Sequence, residues 1–338
     1  MKLLVVTQTV DVNDPVLGFF HEWIVGLAER LETVTVICLY EGAHELPDNV
    51  RVHSLGKERG RRSRSSYALR FLALAWRLRK DYDTAFVHMN QEYVLLGGVL
   101  WKALSKRMYI WRNHYAGSLL TDLAAALCTK VFCTSKHSYT AKYRRTVLMP
   151  VGVDTRLFTP DPNVVRKPAS VLFLSRMTPA KRPEMLLEAL RTLSREGIAF
   201  SATFVGSPLP EHVTYYERLR DIAETEGLDG KVLFLPGVAK ADAPDLYRAH
   251  QVFVNCSPSG MLDKTLFEAT ACGCTALASS EDFRELAGEQ QYFDSAEALS
   301  AALKSAFETP TTGSQRMAEI AHAHSLRATM DKLAEQII

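Results

Sequence analysis

The chain has 338 residues, 47% of them hydrophobic and 23% charged, with a formal net charge of +2. This composition excludes an intrinsically disordered chain, and the length leaves room for two domains that each bury a core. The near-neutral charge names no nucleic-acid partner, no run of about twenty apolar residues offers a membrane span, and MKLLVVTQTVD turns polar too soon for a signal peptide, so a cytoplasmic protein is expected.

Short β-branched or aromatic runs, KLLVVTQT, VTVICLY, TAFVHM, RMYIWRN and KVFCTS, mark strands in the first 150 residues, with helix-length amphipathic segments between several of them. Residues 57–80, KERGRRSRSSYALRFLALAWRLRK, carry nine Lys or Arg against one Glu, and the second half reads as a helix with Leu69, Leu72, Ala73, Trp76 and Leu78 among its apolar positions. Such a segment suits an anionic membrane surface. It suits equally a core-facing helix with a solvated basic edge. No aromatic platform or recognition motif accompanies it, so nucleic acid is not expected as a partner. Asp81-Tyr82-Asp83, just before TAFVH, reads as a helix-to-strand turn rather than a metal site.

MPVGVDTRLFTPDPNVVRKP, rich in Pro, Gly and Asp, reads as a connection. A second series follows, SVLFLS, SATFVG, KVLFLP, QVFVNCS and TALASS, separated by helical stretches such as RPEMLLEALRTLSREG. The alternation predicts two doubly wound α/β units in succession, 1–150 and 151–324, each a mostly parallel sheet covered on both faces. The tail MAEIAHAHSLRATMDKLAEQII is helical by period. Cys38, Cys128, Cys133, Cys256, Cys272 and Cys274 mostly lie in apolar runs, and Cys272-Gly273-Cys274 is too tight for the usual zinc spacing, so buried reduced thiols are expected.

In open α/β sheets, ligands lie beyond the carboxyl ends of the strands. The residues just after strands are therefore the candidates: His88, His114, Ser135, Arg176, Gly206 and the loop after QVFVNCS. Arg176 and Lys181 stand five residues apart before a helix. A guanidinium and an ammonium together suit a diphosphate, although two solvated loop cations would look the same. In NCSPSGMLDKTLFEA, small residues let backbone N–H groups approach an anion, and a helix N-terminus of partial positive charge follows. Gly273 reads as that helix's C-terminal glycine. Glu268, about one turn into the helix, is placed to accept two vicinal ribose hydroxyls, or is an exposed helical carboxylate.

On three motifs in order, PVGVDTRLFTP, SRMTPAKRPEMLLEAL and FEATACGCTALAS, the chain resembles a family 4 glycosyltransferase of the GT-B fold. The likeness spans the C-terminal half nearly end to end. In the N-terminal half it is looser: DVNDPVLGFFHEWIVGLAERLETVTVICL is similar to the family's first loop and helix without its paired glycines. The resemblance implies an α/β protein with two Rossmann-like domains facing across a cleft, and a final helix, about 325–338, packing back on the first. It implies a nucleoside-diphosphate sugar as substrate, with no cofactor and no metal. Arg176 and Lys181 would meet the diphosphate and Glu268 the ribose. Backbone amides around Gly260 and Met261 would lie near the phosphates or sugar, with Leu262 and Asp263 in the same loop; Gly206 follows its strand into the pocket, and Gly237 and Val238 flank the base. Gly18 matches the phosphate-side loop. His88 matches a histidine beside the donor sugar, its rival reading being a satisfied strand-end histidine, and His114 is an acceptor-side candidate.

The family retains the anomeric configuration, the acceptor attacking on the face the diphosphate leaves. Cell-surface polysaccharide or glycolipid assembly is implied, with a glycan or lipid-linked sugar as acceptor and a peripheral place at the inner face of the membrane. One position departs: the family has two glutamates separated by seven residues, and counting back from Glu268 the first falls on Gly260. Asp263 either supplies the missing contact or caps the helix. Two other classes remain open, a catalytically idle sugar-nucleotide-binding protein, motivated by Gly260, and a sugar-nucleotide epimerase of similar architecture, against which the linker and donor motifs argue.

Overall fold

A computed structural model describes residues 1–14, 16–308 and 315–338. The chain divides into two compact units, Met1–Pro150 with Leu326–Ile338, and Val151–Ser325.

The first unit contains β1 (Lys2–Val10), α1 (Phe19–Ala28), β2 (Thr33–Glu41), β3 (Val50–Ser54), α2 (Arg64–Arg77), β4 (Thr84–His88), α3 (Gln91–Ala103), β5 (Arg107–Trp111), α4 (Leu119–Leu127), β6 (Lys130–Cys133) and β7 (Thr146–Leu148). All seven strands are parallel, in the order β3-β2-β1-β4-β5-β6-β7. β1 is central, and its Leu3, Leu4, Val5 and Val6 are wholly buried, as a strand covered on both faces must be. α1 joins one core layer, while α2, α3 and α4 cover the other face around Phe71, Trp101 and Ala125.

Edge strands β3 and β7 lie outside the runs read as strands. They are short and half-solvated, so they lack the apolar run that marks a buried strand. Ser63 caps α2 by accepting from the Ser66 N–H. Phe71, Leu74 and Leu78 turn inward, whereas Leu69 and Trp76 are 69% and 52% exposed. In Asp81-Tyr82-Asp83, the Tyr82 hydroxyl donates to the Ala75 carbonyl at 2.9 Å and Asp83 accepts from the Lys2 N–H at 3.0 Å, which makes the tripeptide a turn tying α2 to the sheet.

The second unit contains β8 (Lys167–Leu174), α5 (Pro183–Arg195), β9 (Ser201–Val205), α6 (Val213–Thr225), β10 (Val232–Leu235), α7 (Ala243–Ala249), β11 (His250–Asn255), α8 (Lys264–Ala271), β12 (Thr275–Ala278), α9 (Glu281–Ala287), α10 (Ala296–Glu308) and α11 (Gln315–Ala323). Its five strands are parallel in the order β10-β9-β8-β11-β12. The segment read as a connection is shorter than its composition suggests. β8 begins inside it at Lys167, and Val151, Val153 and Phe158 are buried in the core beneath α7 and α8.

The last helix, α12 (Leu326–Ile337), belongs to the first unit. Met330, Leu333 and Ile337 share the core of α1, and Arg30 holds Asp331 at 2.7 Å. All six cysteines are buried and none forms a disulfide; burial pushes the thiols of Cys38, Cys128, Cys256, Cys272 and Cys274 up to about 12. Among the described residues no helix is long and apolar enough to cross a membrane.

Each sheet starts in its middle and reverses direction once, so each has a topological switch point, between β1 and β4 and between β8 and β11. Ligands favour the carboxyl side of such points.

Candidate functional site

In the second unit the loop after β8 is seated against the loop after β9. Ser175 N–H donates to the Val205 carbonyl at 3.0 Å and Met177 N–H to the Ser207 carbonyl at 3.2 Å. The contact requires Gly206: its φ is +153°, and a Cβ there would sit 1.8 Å from the Ser175 oxygen. The seated loop presents Arg176 to solvent. A tight turn, Pro179–Lys181, then swings Lys181 inward, and Pro183 opens α5 with a ring preset for the first helical position. Arg182 braces the turn by donating to the Cys256 carbonyl and the Ser279 hydroxyl, each at 2.6 Å.

Lys181 is only 8% exposed. Its Nζ lies 2.6 Å from Asp263 Oδ2 and 3.1 Å from Ser257 Oγ. The same Oδ2 accepts from Asn255 Nδ2 at 3.0 Å and from Ser257 Oγ at 2.5 Å. Burial alone would raise the Asp263 pKa, but the charge of Lys181 and the hydrogen bonds from Lys181, Ser257 and Asn255 outweigh it and hold the carboxyl below its usual value. Asp263 occupies the N-cap position of α8 without a side-chain capping bond. Its carboxylate turns to the lysine instead. Lys181 follows β8 and Asp263 follows β11, so the pair straddles the switch point of the second sheet.

The loop between them is pinned from the far side. Gly260 N–H donates to Asp282 Oδ2 at 3.0 Å and Glu281 N–H to Ser259 Oγ at 2.9 Å. Gly260 has φ +91°. A glutamate here would adopt a left-handed backbone at a cost of about 1–3 kcal/mol, so the missing carboxylate and the path of this loop belong together. Met261 is half-buried, and the Leu262 side chain is buried in the core, which leaves only its backbone to face a ligand. Glu268 Oε2 accepts from the Tyr247 hydroxyl at 3.1 Å. Tyr247 is wholly buried, and burial, with the Glu268 charge, raises its pKa well above the ordinary value, so the phenol stays a donor that orients the carboxylate. Val238 is exposed in the loop after β10, where Gly237 N–H reaches Ser207 Oγ at 3.1 Å. Arg176, Lys181, Gly206, Val238, Gly260, Met261 and Asp263 thus all follow the carboxyl ends of neighbouring parallel strands, with Glu268 further along α8.

The other expected residues belong to the first unit. Gly18 precedes α1 in a loop where Asp14 accepts from the Val16 and Leu17 N–H groups. His88 ends β4 and is 2% exposed; its ring stacks on Phe20 at 4.0 Å, and its Nδ1 lies 3.4 Å from Thr7 Oγ1. The packing is that of a strand-end core histidine. His114 accepts from the Ala116 N–H at 2.9 Å and stacks on Tyr115, and burial lowers its pKa, so it organises its own loop in the neutral form.

The model of the glycosyl transferases group 1 family matches residues 156–324, half of the chain and all of the second unit's loops described above. The chain belongs to this family. Among curated relatives, D-inositol 3-phosphate glycosyltransferase of Geodermatophilus obscurus is 31% identical over 154 residues, covering 42% of this chain and 34% of the relative. A GDP-mannose-dependent alpha-(1-6)-phosphatidylinositol monomannoside mannosyltransferase of Mycolicibacterium smegmatis is 30% identical over 146 residues, covering 38% and 37%. The chain spans about a third of the length of these curated relatives.

Among solved structures, Anabaena Alr3699/HepE in complex with UDP and glucose superposes with a TM-score of 0.77 at 18% identity, covering 100% of this chain and 99% of the other. Sucrose-phosphate synthase from Thermosynechococcus elongatus gives 0.78 at 15%, covering 99% and 98%. These likenesses show the fold, which is GT-B.

Against the group 1 motifs, the partners Asn255, Ser257, Arg182 and Asp282 were not legible as site residues. Asn255 and Ser257 carried a signal, being polar at the end of a buried strand; Asp282 lies 22 residues beyond the glycine it anchors, and nothing local marks it.

Proposed function

We propose that this group 1 glycosyl transferase moves a sugar from a nucleoside-diphosphate sugar to an acceptor hydroxyl with retention of anomeric configuration. The observation that carries the reading is Lys181, a buried ammonium at the switch point of the second sheet. It has three N–H donors, and two are spent on Asp263 and Ser257. The third remains for a phosphate oxygen. Arg176, exposed in the adjoining loop, adds a forked donor of the kind suited to phosphate. Fixed cations at the leaving diphosphate stabilise the charge that grows as the glycosidic bond breaks, so the reading assigns this work to Arg176 and Lys181 and needs no metal.

Glu268, oriented by Tyr247, is assigned to the ribose hydroxyls, and exposed Val238 to the base. Backbone groups of Gly260, Met261 and Leu262 are assigned to the donor loop, and Gly18 to the phosphate side. His88 takes a packing role in this proposal, and His114 stands as the acceptor-side group. The GDP-mannose in the name of the mycolicibacterial relative and the UDP and glucose in the HepE structure support a nucleotide-sugar donor here. A panel of UDP- and GDP-sugars, with binding and nucleoside diphosphate release as readouts, tests the assignment.

A membrane-bound acceptor, a glycan or lipid-linked sugar, is proposed from α2 and the loop before it. Leu69 and Trp76 face solvent, the Arg79 guanidinium lies 4.2 Å from the Trp76 ring centroid, and Arg61, Arg62 and Arg64 are exposed. Aromatic and aliphatic side chains flanked by cations suit an anionic lipid surface. Each cation near such a surface contributes about 1 kcal/mol, so replacing all three arginines by glutamine is expected to lower co-sedimentation with phosphatidylserine vesicles at least about tenfold. Unchanged co-sedimentation would remove the membrane from the account.

A further inference from the structure

The two oxygens of Asp263 are used unequally. Lys181, Asn255 and Ser257 all converge on Oδ2, at 2.6, 3.0 and 2.5 Å. Oδ1 makes no hydrogen bond among the described residues, and the side chain keeps 17% of its surface exposed. A carboxylate has about four acceptor sites on its two oxygens. Here one oxygen is saturated by the protein and the other is left open. The open oxygen belongs to the residue that holds the diphosphate lysine. It stands three positions after Gly260, whose left-handed backbone and tie to Asp282 leave no carboxylate at that point of the loop.

Resting on the donor reading above, we infer that Asp263 has two duties in that site: Oδ2 positions Lys181 against the diphosphate, and Oδ1 accepts a hydroxyl of the donor's sugar. The division has a consequence for specificity. Asp263 is a negative charge beside the diphosphate, so on its own it opposes a bare nucleoside diphosphate. A sugar hydroxyl donating to Oδ1 offsets that repulsion. The site therefore distinguishes a sugar nucleotide from the spent nucleoside diphosphate, and it favours sugars that carry an equatorial or axial hydroxyl at the one position Oδ1 can reach over their deoxy analogues.

A purely structural Asp263 would affect both ligands alike. The measurement is calorimetric binding of UDP, GDP and their glucose, galactose, N-acetylglucosamine and mannose derivatives to the full chain, before and after Asp263→Asn. A hydrogen bond to a charged group is worth enough to change affinity about tenfold or more. Asp263→Asn is expected to shift the sugar-nucleotide to nucleoside-diphosphate affinity ratio at least about tenfold against the sugar, whatever change the loss of the Lys181 contact brings to both ligands. A folded variant whose ratio is unchanged, or which weakens both ligands by one factor, overturns the inference while leaving the donor reading intact. Wild-type protein that binds none of the ligands overturns the donor reading, and this assignment with it. If Asp263→Asn does not fold, the wild-type chain is titrated with deoxy analogues of the sugar nucleotide that binds best: loss of one hydroxyl is expected to weaken binding at least about tenfold, and equal binding of every deoxy analogue overturns the inference.

Discussion

Lys181→Ala is expected to lower turnover with the best donor by at least about a hundredfold, the usual order for losing one preorganised group on a developing negative charge. It is also expected to destabilise the second unit. Asp263 would keep its buried carboxylate and its two neutral donors but lose its cation, and breaking a buried pair from one side costs about 3–5 kcal/mol. With both side chains largely buried, at 10% and 17% exposure, solvent screens little of that cost. The two effects are separable. Lys181→Met combined with Asp263→Asn removes both charges and should recover most of the melting temperature, because no unpaired charge remains, while turnover stays low. Recovered turnover in the double variant would deny Lys181 a place at the leaving group.

Gly206→Ala is the second large effect. A methyl group 1.8 Å from the Ser175 carbonyl oxygen lies far inside contact distance, and the backbone at φ +153° is strained for any residue with a Cβ. Relief requires the loop after β8 to leave the loop after β9, giving up the Ser175–Val205 and Met177–Ser207 hydrogen bonds. Strain of about 1–3 kcal/mol adds to these losses, so a destabilisation of at least about 3 kcal/mol is expected in denaturant unfolding. The residual folded protein should also bind nucleotide poorly, because Arg176 rides on the displaced loop. An unchanged unfolding midpoint would contradict the packing described at this edge.

Both variants act where local sequence was most informative. Parallel strands buried on both faces read as continuous apolar runs, so SVLFLS, SATFVG and QVFVNCS located β8, β9 and β11, and with them the carboxyl edge of the second sheet. The motif order then identified the GT-B family. β3 and β7 escaped because an edge strand is half-solvated and short, and its pairing partner, not its own pattern, makes it a strand. The same limit applied to side chains. Asp263 looked equally like a helix cap until Lys181, 82 residues away in sequence, was found holding its carboxylate. Gly260 looked like a lost glutamate, whereas its left-handed backbone and the bond to Asp282 show a loop built around a glycine. His88 reads from the resemblance as a cleft histidine or, on its own, as a satisfied strand-end histidine, and its stacking on Phe20 is a contact the sequence does not carry. Leu69 and Trp76 were counted among the apolar positions of α2, but Phe71, Leu74 and Leu78 supply its buried face.

The proposed binding of a nucleoside-diphosphate sugar at the carboxyl edge of the second sheet turns on Lys181. Its most direct test is calorimetric titration of the wild-type chain and the Lys181→Met, Asp263→Asn double variant with the panel of UDP- and GDP-sugars, followed by assay of nucleoside diphosphate release from whichever sugar nucleotide binds. At least one sugar nucleotide is expected to bind the wild type and release its diphosphate, and the folded double variant is expected to bind it at least about tenfold more weakly. Absence of binding to every member of the panel, or equal binding by the double variant, would contradict it.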